Sequence, residues 1–192
     1  LLDARRQDEL DPLSNIGDLF DLPSDLVYLD GNSLGAMPAV VPEKIQEAVT
    51  EGWRTGLIRS WNDRGWHILP LTLGDRLAPL MGANAGEVLV VDSTSINLFK
   101  TLSAALKMRP GRTEILSERY NFPSDLHIIQ GAITHFYPQH KLVEGKESDE
   151  SILDLIGPST AVVTLTQVSY RTGLIRDIDR KSTRLNSSHT SI

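Results

Sequence analysis

Apolar residues recur at helical spacing twice in the first half of the chain. From Ala39 onward, Val40, Val41, Ile45, Ala48 and Val49 repeat every three to four positions. Pro42 is compatible with a first helical turn, and the pattern predicts a stop near Gly56. A second helix is predicted from Trp66 to Met81, with Leu69, Leu73, Leu77 and Leu80 on one face and Gly82 as its terminator. Ahead of both, residues up to about Pro38 are rich in Asp, Pro, Gly and Asn. They read as an extended arm with one strand-like stretch, Val27 to Leu29, running into a tight turn at Asp30-Gly31-Asn32-Ser33.

Beyond Gly86 short apolar runs alternate with helical segments. Strands are expected at Glu87 to Val91, Glu114 to Ser117 and Ala161 to Thr166, with a weak one at His135 to Tyr137. Helices are expected at Ser95 to Met108, Pro123 to Gln130 and Asp149 to Ile156. This alternation predicts an α/β fold, a mostly parallel sheet with helices on its faces. It divides the chain into an N-terminal arm and helix (1–65), an α/β segment (66–179) and a tail (180–192). The tail turns abruptly to Ser, Thr, Asn and Arg without periodicity, and reads either as disordered or as translated adapter sequence foreign to the gene.

Composition removes several function classes. There is no cysteine among the 192 residues, hence no disulfide framework or Cys-based zinc site, and the scattered histidines show no metal-ligand spacing. The net charge of −6 is spread along the chain, and no basic stripe with interleaved aromatics offers a footprint for nucleic acid. The apolar runs are far shorter than the roughly 20 residues of a membrane span. The first residues alternate charged and apolar positions without a signal-peptide core, which leads to the expectation of a cytoplasmic protein.

Three segments carry candidate chemistry. In Glu87 to Lys107 a predicted strand passes through Ser93, Thr94 and Ser95 into an amphipathic helix; hydroxyl caps, free backbone N–H groups and the helix dipole together favour a phosphate or another anion. Ordinary capping by Ser and Thr is the competing explanation. Tyr120-Asn121-Phe122-Pro123-Ser124-Asp125 again joins a strand to a helix start and presents a ring and a carboxylate. Phe122 could lie against a heteroaromatic cofactor or merely staple the helix. Tyr28 to Gly35 is a dense turn of small polar residues, and Trp53, Trp61 and Trp66 default to packing.

Taken in order, YLDGNSLG, GLIRSWN, DSTSINLFK, YNFPSD and TQVSYRTG resemble the bacterial kynureninases, pyridoxal 5'-phosphate (PLP) enzymes of the aspartate-aminotransferase fold, over roughly Asp18 to Asp179. The resemblance implies that 66–179 begins the cofactor-binding large domain. It implies cofactor contacts at Thr94, Ser95, Phe122, Pro123, Ser124, Asp125 and Thr166, with Phe122 on the pyridine ring, and positions near the substrate at Ser33 and Trp61. The implied activity is hydrolysis of L-kynurenine or 3-hydroxykynurenine to L-alanine and anthranilate or 3-hydroxyanthranilate, by a homodimer. The family's cofactor-linking lysine and the carboxylate partner of its ring nitrogen are expected beyond this chain. Lys100, Lys107 and Lys181 lack the aromatic-Lys context, so no catalytic residue is assigned here. A cysteine desulfurase-like enzyme of the same fold, or a non-enzymatic phosphate-binding module, stands as the alternative.

Overall fold

The computed structural model describes residues 2–146 and 149–177; the tail assigned to 180–192 lies outside the described residues. The chain forms two compact units that meet between Val90 and Val91. Within the first unit the helices after Trp66 pack onto those before it. The Trp66 ring, for instance, lies over Gly52, so closely that a Cβ there would sit 2.6 Å from Cζ2.

In the first unit, α1 (Leu2–Leu10) leads through a 3-10 turn at Ser14–Leu19 to an antiparallel bridge between Phe20 and Pro38. That bridge closes a long loop. Val27 to Leu29 form no strand within it: a strand needs a partner for its N–H and C=O groups, and this stretch has none among the described residues. Its order comes instead from Tyr28, whose hydroxyl donates to the Leu34 carbonyl at 2.6 Å. Helix α2 (Val41–Glu47), with Pro42 in its first turn, continues without a break into a π-helical segment, Ala48–Gly56. Short α3 (Ser60–Asp63) and α4 (Leu69–Leu77) follow, the latter flanked by 3-10 turns at Trp66–Ile68 and Ala78–Met81. Gly82 ends the run in the left-handed conformation (φ +67°), which a side chain would resist.

Glu87 to Val91 join no sheet among the described residues, contrary to the sequence expectation. The Val90 N–H bonds the Pro70 carbonyl at 3.1 Å, and Leu89, Val90 and Val91 stay exposed. The apolar run has strand character and no strand to pair with among the described residues.

The second unit alternates as expected: α5 (Thr94–Met108), β1 (Glu114–Glu118), α6 (Pro123–His135), β2 (Lys141–Gly145), α7 (Asp149–Leu155) and β3 (Thr160–Val163). The sheet is fully parallel in the order β2-β1-β3, with Ile115 opposite Leu142 on one side and Val162 on the other. As the middle strand, β1 carries the deepest residues, Ile115, Leu116 and Ser117. Ile115 joins Leu102 and Leu106 of α5 and Ile129 and Ala132 of α6 in one core cluster. The weak strand expected at His135 to Tyr137 is instead the end of α6. Ile129, Ala132 and partly buried Ile133 keep helical spacing and carry the helix to His135, and the strand begins only at Lys141.

Candidate functional site

In an open parallel sheet, ligands gather beyond the C-terminal ends of the strands. Here those ends present the loop after β1, residues 119–122, and the extended continuation of β3, Thr164 to Thr166. Helix α5 runs back from the same end, because its C-terminus turns at once through Arg109 to Thr113 into the start of β1.

At the start of α5, Ser93 is the N-cap and its hydroxyl accepts from the Ile96 N–H at 3.4 Å, while its carbonyl accepts from Asn97 at 2.9 Å. The N–H groups of Thr94 and Ser95 precede any possible intrahelical acceptor, so they face outward with the positive end of the dipole. The approach is braced on both sides. Asn97 Nδ2 donates to the Val91 carbonyl at 2.8 Å, and Asp92, in a left-handed conformation (φ +44°), pairs with Lys100.

The second component is the loop after β1. Phe122 is the N-cap of α6 and Pro123 its first residue, where a missing N–H costs nothing. Phe122 is 48% exposed, and its ring meets Tyr170 edge-on, with centroids 5.1 Å apart. Ser124 Oγ donates to the Asp125 carboxylate at 3.3 Å, and the Asp125 N–H to the Phe122 carbonyl at 2.9 Å. The Thr166 hydroxyl donates to Oδ1 of buried Asn121.

Tyr170 sits on a short hairpin closed by an antiparallel bridge between Val168 and Ile175. On the same hairpin Arg171 lies 4.5 Å from the Tyr120 ring centroid, and just after it buried Arg176 pairs with buried Glu118 at the end of β1. Sequence reading gave no role to Asn121, Tyr170 or the Glu118–Arg176 pair, although the first two fall inside its quoted motifs. Their partners are distant in sequence, and only the fold reveals them.

Contacts thus bring together Phe122, Asn121 and Thr166, and topology puts Thr94 and Ser95 at the same end of the sheet. Ser33 and Trp61 belong to the first unit. Ser33 Oγ donates to the Asp30 carboxylate at 2.8 Å, and Trp61 is 55% exposed, with its carbonyl 2.8 Å from His67 Nδ1. Among the described residues no group of His, Asp and Glu side chains could hold a metal ion, and no helix is long and apolar enough to cross a membrane.

This donor set suits a phosphorylated heteroaromatic ring. Free N–H groups and hydroxyls at a helix start suit a phosphate dianion, and a half-exposed phenyl side chain suits a planar ring.

No family model matches the chain. Curated relatives do: it is 46% identical over 180 residues to a kynureninase of Burkholderia pseudomallei and 45% identical over 180 residues to that of Pseudomonas fluorescens. Each alignment covers 92% of this chain and 43% of the relative, so the chain spans less than half the length of the proteins it matches. Among solved structures it resembles a C-DES mutant with glycine covalently linked to the PLP cofactor. That match has a TM-score of 0.71 at 15% identity and covers 91% of this chain and 45% of the other, which establishes a shared fold.

Proposed function

We propose that this chain is the N-terminal part of a kynureninase, a cytoplasmic PLP-dependent homodimer that hydrolyses L-kynurenine or its 3-hydroxy analogue. The observation that carries the reading is the joint presence, at one end of a parallel sheet, of an anion-ready helix start and a Phe-Pro-Ser-Asp loop, in a chain homologous to kynureninases.

In this reading residues 66–179 begin the cofactor domain, and 1–65 form the arm and helix that precede it. Thr94 and Ser95 hold the phosphate through backbone N–H and hydroxyl groups. Phe122 supports one face of the ring, with its loop rigidified by Pro123. Ser124 and Asp125 place a hydroxyl and a carboxylate at the ring's edge, and Thr166 adds a hydroxyl from the neighbouring strand. When bound, the cofactor supplies the electron sink for breaking the bond between the β-carbon and the γ-carbonyl. This segment orients the ring and neutralises the phosphate. Ser33 and Trp61 are assigned to the substrate side. The lysine that anchors the cofactor lies outside this segment; Lys100 is engaged with Asp92.

The test is a product panel with the full-length enzyme and PLP. Release of anthranilate and alanine from kynurenine in equal amounts is expected. Turnover of cysteine with none of kynurenine would instead assign a desulfurase-like enzyme. Phosphate binding without any affinity for PLP would reduce the protein to an anion-binding module.

A further inference from the structure

We propose that the buried Glu118–Arg176 ion pair is a positioning element of the cofactor seat: it locks the hairpin that carries Tyr170 onto the end of β1, and so sets the Tyr170 ring against Phe122. This rests on the reading of Phe122 as the ring's support.

The hairpin is short and closes at its base. Val168 bridges Ile175, the Arg176 N–H donates to the Gln167 carbonyl at 2.8 Å, and the Ser169 N–H donates to the Leu174 carbonyl at 3.0 Å. Gly173, in the left-handed conformation (φ +70°), turns the chain back. Little apolar burial holds this element, since Tyr170, Leu174 and Ile175 are each more than half exposed. Hydrophobic contact therefore does little to fix where its tip lies.

Charge does so at the base. Glu118 is the last residue of β1, the middle strand, whose place is set by pairing on both sides. Glu118 and Arg176 are both less than 5% exposed, and their side chains pair. A buried carboxylate parted from its cation is costly, so the hairpin base is held where the pair is made. From this anchor the chain after β1 meets the hairpin at every second residue. Glu118 takes Arg176, Tyr120 lies under the Arg171 guanidinium, and Phe122 meets Tyr170 edge-on. The first contact is buried and the other two lie among exposed side chains, so the pair supplies the rigidity that the rings receive. Glu118 and Arg176 act on the seat through Tyr170, whose edge restricts the orientation of the Phe122 ring.

The full-length holoenzyme tests this through three readings on each variant: PLP affinity, the visible circular dichroism of the bound cofactor, and the melting temperature. Tyr170→Leu removes the ring at an exposed position. It should weaken PLP about threefold to tenfold, the worth of one edge-to-face pair, and change the dichroic band at an unchanged melting temperature. Glu118→Gln together with Arg176→Gln removes both charges without stranding either one. This double variant should melt lower and reproduce the cofactor changes of Tyr170→Leu. Added to Tyr170→Leu, it should weaken PLP no further, because the pair works through that ring. If the double variant does not fold, Arg176→Lys takes its place: it keeps the charge and loses the planar fork, and its cofactor effects should likewise vanish in the Tyr170→Leu background. A pair variant with a lowered melting temperature but unchanged affinity and dichroism, or effects that add fully to those of Tyr170→Leu, would overturn the proposal. Phe122→Leu is the control for the underlying reading. If it leaves affinity and dichroism unchanged, the ring-support assignment itself fails. If it alters them while the Tyr170 and pair variants do not, only the positioning role fails.

Discussion

At the residue scale the seat divides into what local sequence can announce and what it cannot. Ser93, Thr94 and Ser95 were legible because capping is a local affair: a hydroxyl, the next few N–H groups and the dipole all lie within one turn. Asn121 was not legible, since its bond to Thr166 spans 45 residues and depends on β1 and β3 being neighbours. If Thr94 and Asp125 serve the cofactor, Thr94→Ala and Asp125→Ala in the full-length enzyme should each weaken PLP by about tenfold to a hundredfold, the cost of a hydrogen bond involving a charged group. Thr134→Ala is the matched control. Its hydroxyl donates only to the Gln130 carbonyl at 2.9 Å, at the far end of α6, and its removal should leave PLP affinity unchanged. Equilibrium titration of the apoenzyme measures all three.

At the element scale, helices were read more faithfully than strands, for a physical reason. A helix satisfies its backbone internally, so the periodicity of Ala39 to Gly56 and Trp66 to Met81 was enough to find both helical runs. A strand exists only with a partner. Glu87 to Val91 has strand composition but no neighbour to pair with among the described residues, whereas Lys141 to Gly145, a weaker pattern, pairs with β1.

The extended stretch before α5 is nevertheless held closely against α4. A Cβ at Gly74 would fall 1.9 Å from the Val88 carbonyl oxygen, a clash with backbone that cannot rotate away. Gly74→Ala should therefore cost about 1–3 kcal/mol, the usual range for overpacking, seen as a lower melting temperature of the full-length protein.

The turn into this stretch is pH-sensitive in a defined direction. Glu87 accepts from the Asn84 N–H at 2.8 Å and from its side chain, which holds the Glu87 carboxyl below its ordinary value of 4.5. Because the folded value is the lower one, this contribution is complete above the ordinary carboxylate range and disappears as pH falls through the lowered value. A Glu87→Gln variant should melt slightly below the parent at neutral pH, with the gap closing in acid; a gap independent of pH would show that the carboxylate plays no part.

At the scale of the whole molecule, apolar side chains remain on the surface in contiguous stretches. Ile45, Val49, Trp53 and Ile58 are between 47% and 83% exposed along α2 and its continuation. Such surfaces ordinarily mark contact with more protein. Among the described residues β2 and β3 each leave one edge of the parallel sheet unpaired, which adds an aggregation hazard. The isolated chain should accordingly melt broadly and self-associate in sedimentation velocity; a sharp melt from a clean monomer would contradict this. The full-length enzyme should sediment as a dimer.

The fold class was legible from the alternation of elements after Gly86, because each βα step repeats one local pattern. What the sequence could not show is how loops from separate strands meet, as Phe122 and Tyr170 do, since such contacts follow from strand order.

The central claim is that this segment supplies the cofactor's seat but not its covalent anchor. Borohydride reduction of the full-length holoenzyme, followed by peptide mapping, measures this directly. One modified lysine per subunit is expected, in a peptide outside this sequence; stoichiometric modification of Lys100, Lys107 or any other lysine within it would contradict the assignment.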